Sequence, residues 1–247
     1  MRTRFLNRPR RWPLLAAGGG LALLLAVAIG LTVQTGSPRT PGRKATPAAV
    51  QPPGPVAGTT GPGSPAPAPG LSGPLHLIRG SQLINDVYLG YPHSTAGAVS
   101  AAAEYMTGLG STLDPDRAAA VMRLTADPSY PAGPQDFAQG MVSTRNDLGL
   151  PASGPVPDGV STALDAAEYQ VRDATADQVT VLLLADYVLT LPGQGTQTRV
   201  VVYPLRMHWA AGDWKILRPD DSAGYSGLSA EPGSAQAAAS GWQELER

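Results

Sequence analysis

One uncharged apolar stretch, residues 12–33, constrains this chain more than any other feature. It reads WPLLAAGGGLALLLAVAIGLTV, and five arginines but no acidic residue precede it. A helix of about 20 apolar residues crosses the hydrocarbon core of a bilayer, and this stretch has 22. Backbone polar groups in lipid must be satisfied within the segment, so the stretch predicts a transmembrane helix.

The arginines predict the orientation of this helix. Basic residues are retained on the cytoplasmic side, so we expect residues 1–11 to lie in the cytoplasm. The chain would then be a single-pass protein of the plasma membrane, with the part after the helix outside the cytoplasm. Trp12 is placed at the headgroup level, and Leu14, Leu24 and Val33 are further anchor residues of the apolar segment.

A cleaved signal peptide is the alternative interpretation of the same stretch. Ala26 and Ala28 form an A-x-A pattern that a signal peptidase could recognise. The apolar run is longer than the roughly 7–15 residues of a signal h-region, which favours an uncleaved anchor. Both interpretations place the rest of the chain outside the cytoplasm.

Charge and cysteine content narrow the functions of the exported part. Residues 1–70 hold eight basic residues and no acidic ones, whereas residues 71–247 hold ten basic and 19 acidic residues. A net negative domain argues against nucleic acid as a partner. The chain has no cysteine, which excludes disulfides, thiolate metal sites and a cysteine nucleophile.

A spacer follows the apolar stretch. Residues 34–74 consist mainly of Pro, Gly, Ala, Ser and Thr and offer almost nothing to bury. Such a composition predicts a disordered, extended linker of roughly 3.1 Å per residue where it is polyproline-like. We therefore expect a single folded domain over residues 75–222, held away from the membrane surface.

Three helices are predicted at the start of this domain. The first follows Ser94 or Thr95 as its N-cap, and the second has Asp114 as N-cap with Pro115 at its first position. The third follows Pro134. The apolar face of the first helix comprises Ala98, Ala101, Ala102, Tyr105, Met106 and Leu109. The apolar face of the third helix comprises Phe137, Ala138, Met141 and Val142.

After these helices the apolar residues recur at every second position, which is typical of strands. We predict four of them, over residues 167–171, 178–190, 197–209 and 213–218. Pro204 lies inside the third, so that point is expected at a sheet edge or a bulge. Residues 223–247 are rich in Ala, Ser and Gly, and we expect a flexible C-terminal tail in which residues 242–247 could form a short helix.

The last two strands permit a prediction of register. If residues 210–213 form a four-residue hairpin loop, Trp209 lies opposite Trp214 and Met207 opposite Ile216. Those side chains and Leu205 would then face the helices. The opposite, more exposed face would carry Arg206, His208 and Lys215, with Leu217.

The order of these elements resembles a known superfamily. Three helices followed by a curved antiparallel sheet with the W-x-x-G-D-W hairpin of Trp209, Gly212, Asp213 and Trp214 resemble the NTF2-like, cone-shaped α+β domains. With a basic N-terminus, one span and a spacer, the chain is also similar to the VirB8-type and TcpC-type proteins of conjugation machines. The stretch at residues 90–105 resembles membrane proteins of actinobacteria.

No catalytic or metal-binding motif stands out. A catalytic domain of the NTF2-like type would use a conical pocket, for which Asp186 and His208 with Tyr105 or Tyr187 are the candidates. The predicted parity of the hairpin puts His208 on the face away from that pocket, so we predict no catalytic residues. The histidines are scattered without an H-x-H or H-E-x-x-H pair, and we predict no metal and no cofactor.

The expected function is therefore a non-enzymatic one. We expect an interaction or scaffold protein of an envelope or conjugation-type assembly, with other envelope proteins, or a second copy of the chain, as partners. The alternative is a small-ligand-binding module that uses the cone between helices and sheet. A cone filled by Tyr105, Phe137, Trp209 and Trp214 favours the first function, and an open apolar cavity favours the second.

Overall fold

A computed structural model describes residue 71, residues 73–220 and residues 224–247. The predicted transmembrane helix with its anchor residues, and the predicted linker up to residue 70, lie outside the described residues. Within the part that is described, no helix is both long and apolar enough to span a membrane.

The described chain is an α+β structure built on one large sheet and a small hairpin. Strands that precede the helices are β1 (Leu75–His76), β2 (Gln82–Ile84) and β3 (Val87–Leu89). The helices that follow are α1 (Thr95–Gly110), α2 (Pro115–Thr125) and α3 (Gly133–Asp147). The later elements are β4 (Ser161–Arg172), β5 (Gln178–Leu191), β6 (Gly195–Ala210), β7 (Asp213–Ile216), α4 (Ala235–Ala239) and β8 (Gln243–Glu246).

The helix starts follow from local capping chemistry. The Ser94 side chain accepts a hydrogen bond from the backbone N–H of Gly97 at 3.1 Å, and the Asp114 carboxylate accepts one from Asp116 at 2.9 Å. Pro115 then occupies the first position of α2, where its missing N–H costs nothing. The three predicted helices are confirmed, although α3 begins at Gly133 without a side-chain cap.

Long antiparallel strands form the centre of the sheet, in the order β1-β8-β4-β5-β6-β7. The predicted strands are confirmed in position, but β4 is much longer than expected because it begins at Ser161. Its pairing with β5 shifts between Ala166 and Glu168, and such a bulge increases the local twist of a sheet. Pro204 pairs with Leu182 at a point of β6 that β7 does not reach, in agreement with the predicted edge position.

The terminal hairpin has the predicted register and a tighter turn. Trp209 lies opposite Trp214 and Met207 opposite Ile216. Ala210 also pairs with Asp213, so the loop contains two residues instead of the predicted four. Its two central residues, at positions 211 and 212, have positive φ angles of 53° and 78°, the geometry of a type I′ turn.

The central strand β5 is buried on both of its faces. The odd-numbered side chains from Val179 to Leu191 belong to the main core, together with side chains of the helices α1, α2 and α3. Leu182 and Leu184 form a second cluster on the opposite face of the strand. This pattern requires that something covers the face of the sheet that points away from the helices, because a buried apolar face excludes water.

The C-terminal residues provide that cover, so the predicted flexible tail is wrong. In place of disorder, β8 pairs in parallel with β1 and antiparallel with β4. The buried side chains of Trp242 and Ala237 pack against Leu182 and Leu184, and residues 243–246 are a strand where a short helix was expected. The Ala/Ser/Gly composition gives no sign of this role, because the apolar side chains that provide the cover are few and widely spaced along the chain.

Candidate functional site

The four aromatic residues predicted for the pocket or core separate into two groups. Tyr105, Phe137 and Trp214 are buried in the main core between the helices and the sheet. Trp209 is only partly buried and packs against that core from its rim. The space between helices and sheet is therefore occupied by these three side chains, and Trp209 belongs to a neighbouring surface region.

Asp213 connects the terminal hairpin to the helical layer. One of its carboxylate oxygens accepts hydrogen bonds from the backbone N–H of Tyr91 at 3.0 Å and of Trp214 at 2.9 Å. The other accepts the hydroxyl proton of Tyr105 at 3.2 Å. Burial, followed by the negative charge of Asp213, raises the pKa of Tyr105 far above its ordinary value. This tyrosine is consequently a fixed hydrogen-bond donor in the core.

The face predicted as exposed is only partly so. Arg206 is exposed, as expected, but the side chains of His208 and Lys215 retain 33% and 14% exposure. The C-terminal end of α2 and the loop after it cover them: Lys215 donates a hydrogen bond to the carbonyl of Leu124 at 2.8 Å, and His208 contacts Asp127. For Lys215 the predicted exposed position is therefore wrong, because parity along a strand does not reveal which loops fold over it.

His208 has a carboxylate partner that differs from the one considered above. Its Nδ1 lies 2.7 Å from Oδ2 of Asp127, a carboxylate that is only 4% exposed. Asp186 lies on β5 eight residues beyond Gln178, the residue opposite His208, which corresponds to roughly 25 Å along a strand. The pair Asp186–His208 is not formed.

Asp127 and His208 do not complete a hydrolytic triad with Ser129. The Ser129 hydroxyl donates to Asp127 at 2.5 Å, so it is directed at the carboxylate and not at the imidazole. Burial acts to raise the pKa of Asp127, but hydrogen bonds from Ser129 and His208 outweigh it and keep the pKa below its ordinary value. A charged, fully engaged carboxylate of this kind is a structural connection between a loop and a strand.

An exposed aromatic contact lies beside this network, and we refer to His93, Asp177 and Trp209 as the aromatic corner. The ring of His93 stacks on Trp209 with centroids 4.3 Å apart and an interplanar angle of 9°. The Nε2 of His93 lies 2.9 Å from a carboxylate oxygen of Asp177. The side chains of His93 and Asp177 are 43% and 63% exposed, so the corner faces solvent.

Three distant parts of the chain meet at the aromatic corner. The loop before α1 contributes His93, the turn between β4 and β5 contributes Asp177, and the terminal hairpin contributes Trp209. The indole N–H of Trp214 donates to the carbonyl of Pro92 at 2.9 Å, and the backbone N–H of Trp209 donates to the Asp177 carbonyl at 2.8 Å. The sequence around His93 does not single it out, since no local pattern indicates such contacts.

Comparison with known proteins provides a family. Residues 31–242 match the family model described as a domain of unknown function, DUF8175. The chain belongs to the DUF8175 family. No curated protein and no solved structure matches it. The DUF8175 match continues through Trp242, so α4 and the tryptophan that covers the outer sheet face belong to the family domain.

Three cavities of the described DUF8175 domain lie outside its filled core. Their volumes are about 250, 290 and 370 Å³, and none of these three is lined by Tyr105, Phe137 or Trp214. Among the described residues, no group of three or more His, Asp or Glu side chains is arranged to hold a metal ion. Of the four predicted pocket residues, Trp209 is the one that contributes to an exposed feature, the aromatic corner.

Proposed function

We propose that this DUF8175 protein is a non-enzymatic, membrane-anchored interaction or scaffold protein whose folded domain lies outside the cytoplasm. In this proposal residues 12–33 anchor the chain, residues 34–74 form a spacer, and the domain contacts other proteins of an envelope or conjugation-type assembly. The proposed location follows from the apolar stretch and the five arginines before it.

The observation that carries the proposal is the filled space between helices and sheet. An NTF2-like enzyme or ligand carrier needs an open cone there, as does the alternative of a small-ligand-binding module in that cone. Tyr105 and Trp214 are fully buried, and Phe137 is nearly so. Their packing makes this region a solid core, which supports a domain that works through its surface.

The hydrogen bonds of two buried carboxylates, those of Asp213 and Asp127, support the same proposal. Asp213 accepts hydrogen bonds from three groups that hold α1, its entry loop and the hairpin together. Asp127 is bonded by Ser129 and His208. A catalytic carboxylate must present a reactive atom to a substrate, whereas these two are committed to joining parts of the fold.

The aromatic corner is the contact surface that we propose. Tryptophan is enriched at the energetic centres of protein interfaces, where it buries a large area with little loss of rotamer entropy. His93 and Asp177 hold the ring of Trp209 and its surroundings in one arrangement. A preorganised surface binds with a smaller entropic penalty than a mobile one.

A crosslinking pull-down from intact cells tests the proposal. The bait is the full chain, and the control is the same residues 1–74 joined to an unrelated folded domain. We expect specific envelope proteins, or a second copy of the chain, to be recovered only with the native domain. Equal recovery with both baits overturns the scaffold function.

Two variants then test the aromatic corner itself. Trp209→Ala and His93→Ala should each reduce recovery of the specific partner at least severalfold, because they remove the proposed contact. Leu83→Ala is the matched control, since Leu83 is an apolar side chain with 55% exposure on the β2–β3 hairpin. If Leu83→Ala abolishes recovery and the corner variants do not, the assignment of the surface is wrong. Thermal unfolding of each variant shows that the domain remains folded.

A further inference from the structure

A cavity of about 290 Å³ lies against α1, on the side near β1 and the β2–β3 hairpin. We refer to it as the side cavity. It is separate from the aromatic corner and from the filled core, and the proposed scaffold function does not use it. Its volume is just below the range for small-molecule sites, which begins at about 300 Å³.

Glu104 supplies a carboxylate to the side cavity without a partner among the described residues. It projects from α1, is half-buried, and accepts no hydrogen bond or close ion pair from any residue that the structure describes. Burial raises its pKa, while the charges of Arg247 and Arg79 oppose the rise. A half-buried carboxylate without hydrogen bonds gains considerable free energy when a cation bonds to it.

Arg79 supplies a cation at the same cavity. Its guanidinium lies 4.3 Å from the ring centre of Tyr88 and forms no ion pair with a described carboxylate. Arg247, the other cation of the lining, is already paired with Asp165. No described acceptor is bonded to the N–H groups of Arg79, and a guanidinium can bond a carboxylate bidentately.

The remaining walls are mostly apolar, with the hydroxyl groups of Ser100 and Thr107 among them. Leu77, Ala103 and Ala166 line the side cavity together with the ring of Tyr91. Ala103, Ala166 and Tyr91 are buried, so this part of the lining is rigid. Small-molecule sites combine such a mostly apolar lining with a few charged groups that fix the orientation of the ligand.

We propose that the side cavity binds a small zwitterion of the α-amino-acid type. The ammonium group bonds to Glu104, the carboxylate bonds to Arg79, and the side chain lies against Leu77, Ala103 and Ala166. A ligand with only one charge forgoes the charged hydrogen bonds to either Glu104 or Arg79 and should bind more weakly. The volume limits the ligand to about the size of one apolar amino acid.

The test is calorimetric titration of the full-length chain, purified in a mild detergent, with L-leucine, D-leucine, L-alanine and D-alanine as probes. We expect at least one of the four to bind, and Glu104→Gln and Arg79→Gln each to weaken that binding by at least about tenfold. Isoamylamine, which is leucine without its carboxylate, and isocaproate, which lacks the ammonium, should also bind at least about tenfold more weakly than leucine.

Two matched variants control for the loss of charge. Glu231→Gln and Arg123→Gln remove the same charges at exposed positions away from the side cavity, and both should bind as the unaltered chain does. The proposal is overturned if none of the four amino acids binds below about 10 mM, if both cavity variants retain full affinity, or if a singly charged analogue binds as well as leucine. Arg79 is exposed, so its variant keeps the test valid should Glu104→Gln unfold the domain.

Discussion

The Nδ1 of His208 lies 2.7 Å from a carboxylate oxygen of Asp127, although the two residues are 81 positions apart in the chain. Next to this contact the backbone N–H of Asp127 donates to the carbonyl of Ile216 at 2.8 Å, and Ala126 pairs with Ile216 as an isolated bridge. The connection between α2 and α3 thus covers the edge strand β7. Covering an edge in this way blocks pairing with a foreign strand.

Asp127→Asn should destabilise the domain by about 1–3 kcal/mol, because it removes the charge that Ser129 and His208 bond in a buried place. Urea unfolding at neutral pH measures this loss. Asp158→Asn, at an exposed loop position, is the control and should change the free energy of unfolding by less than about 0.5 kcal/mol. Equal stability of the two variants would show that the buried carboxylate contributes little.

The same carboxylate predicts a pH dependence. The pKa of Asp127 is lower in the folded protein than its ordinary value of 3.8, so the folded state favours the charged form. Its contribution is complete above the pKa of the unfolded carboxyl and is lost as the pH falls through the lower folded pKa. The gap in unfolding free energy between the unaltered chain and Asp127→Asn should therefore shrink below about pH 4. A gap that widens in acid contradicts the assignment.

Several elements could be predicted from the sequence because their signals are local. Ser94 and Asp114 mark helix starts through side chains that bond N–H groups two or three residues away. The hairpin register followed from the alternation of Met207, Trp209 and Trp214 about a short turn. In each case the physical cause and the pattern lie within a few residues of each other.

The remaining features depend on contacts between distant residues, which a single sequence does not display. Trp242 stood in an Ala/Ser/Gly-rich segment, and only the two-sided burial of β5 shows that it has a surface to cover. The one sequence feature that indicates this two-sided burial is the run of apolar residues at positions 181–185, which is buried on both faces of the strand. Likewise, nothing near His93 indicates that Trp209 lies against it.

Trp242→Ala should destabilise the domain by about 3–5 kcal/mol, since it removes a buried aromatic side chain and uncovers Leu182 and Leu184. It also leaves the carbonyl of Leu228 without the indole N–H that bonds it at 2.9 Å. Equilibrium unfolding in urea gives the loss. Gln236→Ala, at an exposed position of α4, should be nearly neutral. Unchanged stability of Trp242→Ala would mean that the C-terminal cover is dispensable.

Arg145→Lys should destabilise the domain by about 2–4 kcal/mol despite its conservation of charge. Arg145 is fully buried, and its guanidinium donates to the carbonyls of Gly154 at 2.9 Å and Pro155 at 3.2 Å, so that it holds the loop before β4. The planar guanidinium presents a fork of N–H groups on two nitrogens to these carbonyls, and a lysine ammonium, with one nitrogen, does not reproduce that arrangement. The melting temperature of Arg123→Lys, an exposed control on α2, should stay unchanged; an equally small shift for Arg145→Lys would refute the role of the fork.

Ala211→Asn should stabilise the domain by about 0.5–1 kcal/mol. Ala211 is exposed and has a φ of 53°, a conformation that its Cβ makes unfavourable and that asparagine tolerates better. The converse change at the next position, Gly212→Ala, meets no atom within 4 Å yet imposes a Cβ at a φ of 78°. It should therefore destabilise the domain by about 1–2 kcal/mol through backbone conformation alone. Opposite signs for the two variants in urea unfolding identify the type I′ turn as the cause, and equal signs would contradict it.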